Sequence, residues 1–343
     1  MAFRARKSFK IAPGVRLTAS KSGLSASVGP RGLTHSVGPG GRRTNVSLPG
    51  SGLGYSHKHG GGRPRGRVQA ALPPPPAASD PLTLSLLDRL FRSADEKAFV
   101  RALRSFRDKD PATAVEHLTL ADQQHADVAY LRAFAALMQK DADAAMPALE
   151  QAIDLDGLGS KLAAYDFAGA FEIPVTDELT IEAGPDEASV RFLLVELYQG
   201  SQRPADARRH ADALVEMEPD RPAAVISFAE LILDDKEPTQ EDLHRVAELC
   251  SGHENDDAVG TILFLYRARA LAALGMDDAA IEVLTAAGRR KKDRSASLLN
   301  QITYDRAVLL ERTGKKARAR KEFEKVYAAN PGFEDVAQRL LGA

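Results

Sequence analysis

The sequence predicts a multidomain α+β protein, in which a small antiparallel β-meander domain is followed by an all-α solenoid of helix pairs. Three observations lead to this prediction. Apolar and polar residues alternate with a period of two over residues 1–58, as they do in half-buried strands. Residues 59–81 are rich first in Gly and Arg and then in Pro, which is typical of a linker. Over residues 82–343 the apolar residues recur at three- and four-residue spacing, which indicates helices.

The front segment predicts four or five short strands. Val28, Val37 and Val46 lie nine residues apart, and the segments around them alternate between apolar and polar residues. Between these segments stand KSG, GPRG and GPGG, in which Gly permits positive φ and Pro cannot continue a ladder of hydrogen bonds. Each period is therefore interpreted as one strand and one turn. Because the apolar face consists of small side chains, we expect another surface to cover it.

Charge divides the chain at Asp80. Residues 1–79 contain 13 Lys or Arg and no Asp or Glu, whereas the whole chain contains 46 basic and 47 acidic residues. This division predicts either an anionic partner for the front or an attraction between the two parts of the chain. A polyanion would bind to residues 1–68, and the candidate residues for that contact are Arg16, Arg31, Arg42 and Arg43. A solvated face, or one that docks on the acidic part of the chain, stays open as the alternative.

Two stretches of the front segment carry a family resemblance. They are FRARKSFKIAPGVRLTASKSGLSASVGPRG, residues 3–32, and RRTNVSLPGSGLGYS, residues 42–56. Both resemble a bacterial family of N-terminal domains of unknown function, numbered 4236, and the resemblance covers residues 1–58. It implies a small basic β-module that is commonly fused to other domains, and it implies no activity.

Two helical segments near the end of the chain resemble each other. Ala268 precedes Gly275 by seven residues, as Ala307 precedes Gly314, and small or large apolar residues follow both glycines at matching offsets. Weaker copies surround Ala102, Ala133, Val195 and Ala229. Small residues at fixed places let two antiparallel helices approach closely, and a short turn joins them. The pattern resembles the tetratricopeptide family and covers about residues 95–333.

The tetratricopeptide resemblance implies a groove that is lined by the first helix of each pair and binds a protein or peptide. Such repeats bring no chemistry of their own. The groove positions carried over from the family are Phe99, Leu103, Tyr130, Phe134, Phe192, Glu196, Glu230, Arg269 and Tyr304. We expect this groove to be apolar at its start and polar at its end. The alternative, that the aromatic residues fill the core, stays open.

One segment interrupts the helical pattern. Residues 171–187, FEIPVTDELTIEAGPDE, contain alternating apolar residues and a Gly-Pro turn, which predicts a β-hairpin or an extended insertion between repeats. Such insertions often lie near a binding face. A packed spacer or cap is an equally good interpretation.

Motifs for catalysis or metal binding are weak in this sequence. His57 and His59, and the set His244, Cys250 and His253, lack the second pair that a structural zinc site needs. We expect no membrane span, because no apolar run approaches the roughly 18 residues that one requires. Cys250 is the only cysteine, so we expect a reducing compartment and a cytoplasmic protein.

These observations together predict a non-enzymatic adaptor or scaffold without a cofactor, which binds a protein or peptide through the helical-repeat groove. The alternative is a protein that binds nucleic acid or an anionic surface through its basic front, while the repeats mediate assembly. Self-association stays open in both cases.

Overall fold

The front of the chain contributes six strands, of which the computed structural model describes the backbone alone: β1 Lys7–Ala12, β2 Val15–Ser20, β3 Gly23–Val28, β4 Leu33–Gly38, β5 Gly41–Ser47 and β6 Gly54–His59. Beyond the strands, the structure describes Leu82 and residues 92–341, with their side chains except that of Pro174. Each strand pairs antiparallel with the next one along the chain. The sequence led us to expect four or five strands in this segment.

A separate β-meander domain over residues 1–58 stays a prediction. The side chains that would form its core lie outside the described residues, as does the predicted linker over residues 59–81. By contacts, the chain divides into two compact units, residues 1–203 and residues 204–343.

Helices dominate the described part of the first unit after the strands. They are α1 Ala94–Arg107, α2 Pro111–Leu118, α3 Ala126–Met138, α4 Ala142–Asp154, α5 Ser160–Ala164 and α6 Glu187–Gly200. Side-chain caps fix several helix starts: Ser93, Asp110, Asp141 and Asp186 each accept a hydrogen bond from the backbone N–H three residues further on. Such caps satisfy backbone donors that the helix itself leaves free.

The second unit is built from helices throughout its described residues, 204–341. They are α7 Pro204–Met217, α8 Pro222–Asp234, α9 Gln240–Ser251, α10 Ala258–Ala273, α11 Asp277–Ala287, α12 Ala296–Arg312, α13 Lys316–Ala329 and α14 Val336–Leu341. Helices α8, α10 and α12 are first helices of successive pairs, and α10 contacts both of the others. Among the described residues no helix has the length and apolar character needed to cross a membrane.

Short turns with one left-handed residue join the clearest helix pairs. The pairs α1–α2, α3–α4, α10–α11 and α12–α13 are each joined by three residues, and the middle one has positive φ: Lys109, Lys140, Gly275 and Gly314. Glycine adopts this conformation without strain, whereas a side chain at Lys109 or Lys140 makes it costly. The two glycines occupy the turn position that the sequence repeat indicated.

The small residues of the repeat are buried where helices approach each other. Ala102, Ala133, Ala229, Ala268 and Ala307 on the first helices are all 0% exposed. On the second helices, Ala114, Ala145, Ala280 and Ala319 are buried as well. These small side chains let the two helices of a pair pack closely against each other. The chain is therefore mostly helical, and its helices form tetratricopeptide-like pairs.

Candidate functional site: two faces of the first helices

The groove positions predicted in the first unit are mostly inside the protein. Phe99 and Leu103 on α1 and Tyr130 on α3 are 0% exposed, and Phe192 on α6 is 1% exposed. Phe134 on α3 is half-buried, and so is Glu196 on α6. The burial of the aromatic residues favours the interpretation that they fill the core. Binding of a ligand by these positions stays a prediction.

An insertion between α4 and α6 contacts Phe99, Tyr130 and Phe134. It contains α5, strand β7 Phe171–Pro174 and strand β8 Thr180–Ala183, and the two strands pair antiparallel as a hairpin. The hairpin lies within the segment for which the sequence predicted one. A surface pocket of about 340 Å³ lies against it, lined mainly by Glu172, Asp177, Glu178 and Glu182.

Aromatic rings join the insertion to the first helices. Phe134 has its ring centroid 6.2 Å from that of Phe167 and 5.0 Å from that of Phe171, both in the insertion. Phe134 also meets Phe106 of α1 edge to face at 5.4 Å, and Phe106 in turn lies 6.1 Å from Phe167. Aromatic pairs at these separations add to the stabilisation from burial itself. The chain thereby fills its own apolar face in the first unit.

Tyr130 holds the backbone of the insertion. Its hydroxyl donates a hydrogen bond to the carbonyl oxygen of Gly169 at 2.5 Å. Burial, together with the negative charges of Asp186 and Asp127, raises the pKa of Tyr130, so the hydroxyl stays protonated and remains a donor.

Asp127 binds the backbone at the beginning of α5. Its side chain is 0% exposed, and its oxygens accept hydrogen bonds from the backbone N–H groups of Gly159 at 2.5 Å, Lys161 at 2.8 Å and Leu162 at 3.0 Å. Gly159 has φ +83°, and a Cβ there would lie 2.5 Å from the carbonyl oxygen of Pro185. Only glycine fits this position, so the insertion is held in one place by a buried carboxylate and a tight backbone.

The first helices of the second unit present a different surface. On α10, Arg269 donates from Nε to Asp305 of α12 at 2.7 Å, and Gln301 donates to the other oxygen of Asp305 at 2.7 Å. Tyr266, also on α10, donates to Glu230 of α8 at 3.3 Å. A polar ladder thus crosses three successive first helices, and the Arg269 side chain is 37% exposed.

The pKa values of the ladder residues are shifted by burial and by neighbouring charges. Burial and the nearby Asp234 carboxylate raise the pKa of Glu230. Burial also raises the pKa of Tyr266, with a contribution from Glu230. For Arg269, burial alone would lower the pKa, but Asp305 outweighs it and leaves the pKa raised. At neutral pH the guanidinium is therefore charged and faces Asp305.

The last predicted groove position, Tyr304, is in contact with the terminal helix α14. Its hydroxyl donates to Asp335, and Arg339 lies over its ring at 5.9 Å from the centroid. Arg339 also donates to Asp335 at 2.7 Å, and this contact and the Tyr304 hydrogen bond lower the pKa of that carboxyl. Tyr304 is thus partly covered by residues of α14 and of the turn before it.

Three members of the ladder, Gln301, Tyr266 and Asp305, were not among the predicted groove residues, and the last two stand in register with the repeat. These two stand two residues before Ala268 and Ala307, so they hold equivalent places in adjacent repeats. The signal that would have found them is a polar residue at the same offset in both copies. Arg269 and Glu230, by contrast, lie in the polar part of the groove that the sequence predicted.

The candidate anion-binding arginines are described by backbone at most. Arg16 lies in β2, and Arg42 and Arg43 lie in β5. Arg31 and the side chains of all four lie outside the described residues. The structure therefore leaves anion binding a prediction.

Cys250 is buried in the core of the second unit. Among the described residues there is no group of three or more His, Cys, Asp or Glu that could hold a metal ion. Burial raises the pKa of the Cys250 thiol to about 12. As expected from its apolar helical context, the thiol is protonated and unreactive at neutral pH.

Residues 3–56 match a family described as a protein of unknown function, DUF4236, which confirms the resemblance seen in the front segment. A search of curated proteins finds no match to the chain.

Solved structures that are similar to this chain include helical-repeat proteins. The N-terminal domain of the EccA1 ATPase from the ESX-1 secretion system of Mycobacterium tuberculosis is 14% identical, with 71% of this chain and 87% of that chain covered and a TM-score of 0.44. TTC0263, a thermophilic TPR protein of Thermus thermophilus, is 15% identical, with 63% and 97% covered and a TM-score of 0.37. PilW, a type IV pilus biogenesis factor, is 15% identical, with 73% and 99% covered and a TM-score of 0.40. The fold assignment rests on the helix pairs of this chain itself.

Proposed function

We propose that this protein is a non-enzymatic adaptor that binds a protein or peptide through the first-helix face of its second unit. The observation that carries this proposal is the polar ladder across α8, α10 and α12. Tyr266 is buried and the other members are half-buried, and all are held by one another, so their positions are set before any ligand arrives. Preorganised polar groups of this kind lose little conformational entropy on binding.

The covered face of the first unit supports the same assignment. A ligand that approached Phe134 would have to displace Phe167 and Phe171, whose rings pack against it. In the second unit Arg269 is reached from solvent directly. An extended peptide or a helix laid along α8, α10 and α12 would meet successive first helices, as in the known groove-binding modes.

The competing interpretation is that the Arg269–Asp305 pair only ties adjacent repeats together. The two interpretations differ in what they predict for Arg269→Ala. A purely structural pair would lower the free energy of unfolding and leave ligand binding unchanged. Arg245 of α9 is the matched control, because it is also 37% exposed and pairs with a carboxylate, Asp212, at 2.9 Å.

The experiment is a display selection of random peptides on the full chain, followed by fluorescence anisotropy with the enriched peptides. We expect Arg269→Ala to raise the dissociation constant at least about tenfold, which corresponds to about 1.4 kcal/mol. Arg245→Ala should change it less than about twofold. Either no enriched peptide, or equal binding by both variants, would contradict the proposal.

The positive charge of the front segment favours a second candidate function. We propose it as binding of a polyanion by a basic β-meander domain, because residues 1–79 contain 13 basic residues and no acidic ones. Anisotropy of labelled duplex DNA with the full chain tests it across a salt series. Affinity that falls linearly with salt on logarithmic axes between about 50 and about 200 mM supports it. The absence of binding at the lowest salt concentration would exclude nucleic acid as the partner.

A further inference from the structure

We propose that Glu230 and Arg269 form a recognition site for a primary carboxamide, the side chain of an asparagine or glutamine in the bound partner. The proposal rests on the proposed function and names the chemical group that the second unit reads. It follows from the hydrogen-bonding capacity that the ladder leaves unused.

Arg269 has donors to spare. Its Nε is bound to Asp305, and within the described residues of the second unit its two terminal nitrogens have no hydrogen-bond acceptor. The second oxygen of Asp305 is already taken by Gln301 at 2.7 Å, so the carboxylate holds the guanidinium from one side. The planar guanidinium is thereby fixed with its remaining N–H groups available to a ligand.

Glu230 has acceptors to spare. Within the described residues its only hydrogen bond comes from Tyr266, at 3.3 Å, which is long for a hydroxyl donor. A carboxylate can accept about four hydrogen bonds, so most of this capacity is unused. A partly buried carboxylate with unused acceptors gains from a donor that arrives with the ligand.

The donors of Arg269 and the acceptors of Glu230 belong to adjacent first helices, and the charge of Arg269 acts to lower the pKa of Glu230, although burial and Asp234 outweigh it. Arg269 stands three residues after Tyr266 on α10, so it lies on the same helix face one turn away. Helices α8 and α10 are in contact, yet Glu230 and Arg269 do not form an ion pair within 4.0 Å. A group between them would therefore meet an acceptor on one side and donors on the other.

The unused donors and acceptors at this place select a ligand group that both donates and accepts. A ligand carboxylate would meet Arg269 but would be repelled by Glu230, Asp234 and Asp305. A ligand ammonium group would be attracted by the three carboxylates, but it offers only donors and would leave the remaining N–H groups of Arg269 without an acceptor. A neutral group that carries both a donor and an acceptor satisfies both residues without a desolvated charge.

Geometry then separates the two kinds of amide. A trans peptide unit directs its N–H and its C=O to opposite sides, so it cannot offer both to neighbouring groups on one surface. A primary carboxamide presents N–H and C=O on the same edge, as asparagine and glutamine do when they read adenine with two hydrogen bonds. A side chain also reaches a half-buried site more easily than a main chain does.

The test uses the full chain and a peptide that it binds in the selection described above. Each Asn or Gln of that peptide is replaced in turn by Asp or Glu, which keeps the shape and removes the donor. We expect one position at which this change weakens binding to the wild-type chain at least about tenfold, or about 1.4 kcal/mol. The same change should have less than about a twofold effect on Arg269→Ala or Glu230→Ala, because the site is already lost there.

Glu230→Gln provides the decisive variant. The glutamine amide can donate a hydrogen bond to the carboxylate of a peptide in which Asn or Gln has been replaced by Asp or Glu. This peptide should therefore bind Glu230→Gln at least about tenfold more tightly than it binds the wild-type chain. Glu248→Gln, at an exposed position of α9, is the matched control and should give no recovery. A residue that only stabilises the fold would not produce this exchange of preference.

The outcomes separate the two proposals. Enriched peptides that tolerate acidic replacement at every position, or that lose affinity equally in all variants, overturn the carboxamide site and leave the proposed function standing. Loss of binding on N-methylation of the peptide main chain, with no dependence on Asn or Gln, assigns the gap to a peptide unit and also overturns the site. If no peptide is enriched at all, the proposed function fails and this site fails with it.

Discussion

Phe134 and Arg269 hold the same place in two repeats, directly after the buried residues Ala133 and Ala268, yet the first is covered by the insertion and the second is open to solvent. Phe134 packs against two rings of the insertion, whereas Arg269 is 37% exposed and bound to Asp305 of the next repeat. The helix-pair frame is the same in both places because the small residues and the turns set it. The residue that follows the alanine is free to vary, and what packs over it decides its role.

The largest loss of stability is expected when the insertion is released from the rest of the first unit. Asp127→Ala removes the acceptor for three backbone N–H groups at the start of α5. We expect the free energy of unfolding to fall by about 4 kcal/mol, because each buried donor left without a partner costs about 1–3 kcal/mol. Urea unfolding followed by helical circular dichroism measures it.

Asp141→Ala is the matched control for Asp127→Ala. Asp141 caps α4 by accepting one hydrogen bond at an exposed position, so its loss should cost only about 1 kcal/mol. Equal losses for the two variants would show that Asp127 is an ordinary cap and that the insertion is held by other contacts.

The second prediction compares the loss of stability when Phe134 or Arg269 is replaced by alanine. Phe134→Ala should lower the free energy of unfolding by about 3 kcal/mol, because it leaves a cavity among Phe106, Phe167 and Phe171. Arg269→Ala should lower it by about 1 kcal/mol, because partly exposed ion pairs contribute little. Chemical denaturation of both variants measures the difference, and similar losses would mean that the two faces are equally structural.

The smallest effect concerns the ionisation of Glu230. Its pKa is raised above the ordinary 4.5 by burial and by Asp234, so the folded state binds its proton more tightly than the unfolded state does. The stability that this proton contributes is present below the unfolded pKa and is lost as the pH rises through the folded pKa. Glu230→Gln cannot ionise, so at neutral pH it should be about 0.5 kcal/mol more stable than the wild type.

That advantage of Glu230→Gln should shrink as the pH falls below 4.5. Urea unfolding at neutral pH and at the lower pH tests the dependence, and Glu248→Gln should show none. A variant that is less stable than the wild type at neutral pH would mean that the Tyr266 hydrogen bond outweighs the cost of the buried charge.

The repeats could be recognised from sequence to the extent that their turns contain glycine. Gly275 and Gly314 mark two turns directly, whereas the corresponding turns of the first unit place Lys109 and Lys140 at positive φ. A lysine carries no signal for that conformation, so the early copies are weaker in sequence although their helices pair in the same way. The polar part of the groove was predicted at Glu230 and Arg269, but their partners Tyr266 and Asp305 were not.

The helix pairs, the buried alanines and the division of charge at Asp80 can be read from the order of residues along the chain. These are properties of spacing along the chain, and helical periodicity relates residues only three or four positions apart. Tertiary structure alone decided which first-helix face is open. Tyr130 meets Gly169, Asp127 meets the start of α5, and Arg269 meets Asp305, each across more than 30 residues. Contacts over such separations depend on how the elements pack, which a local pattern does not encode.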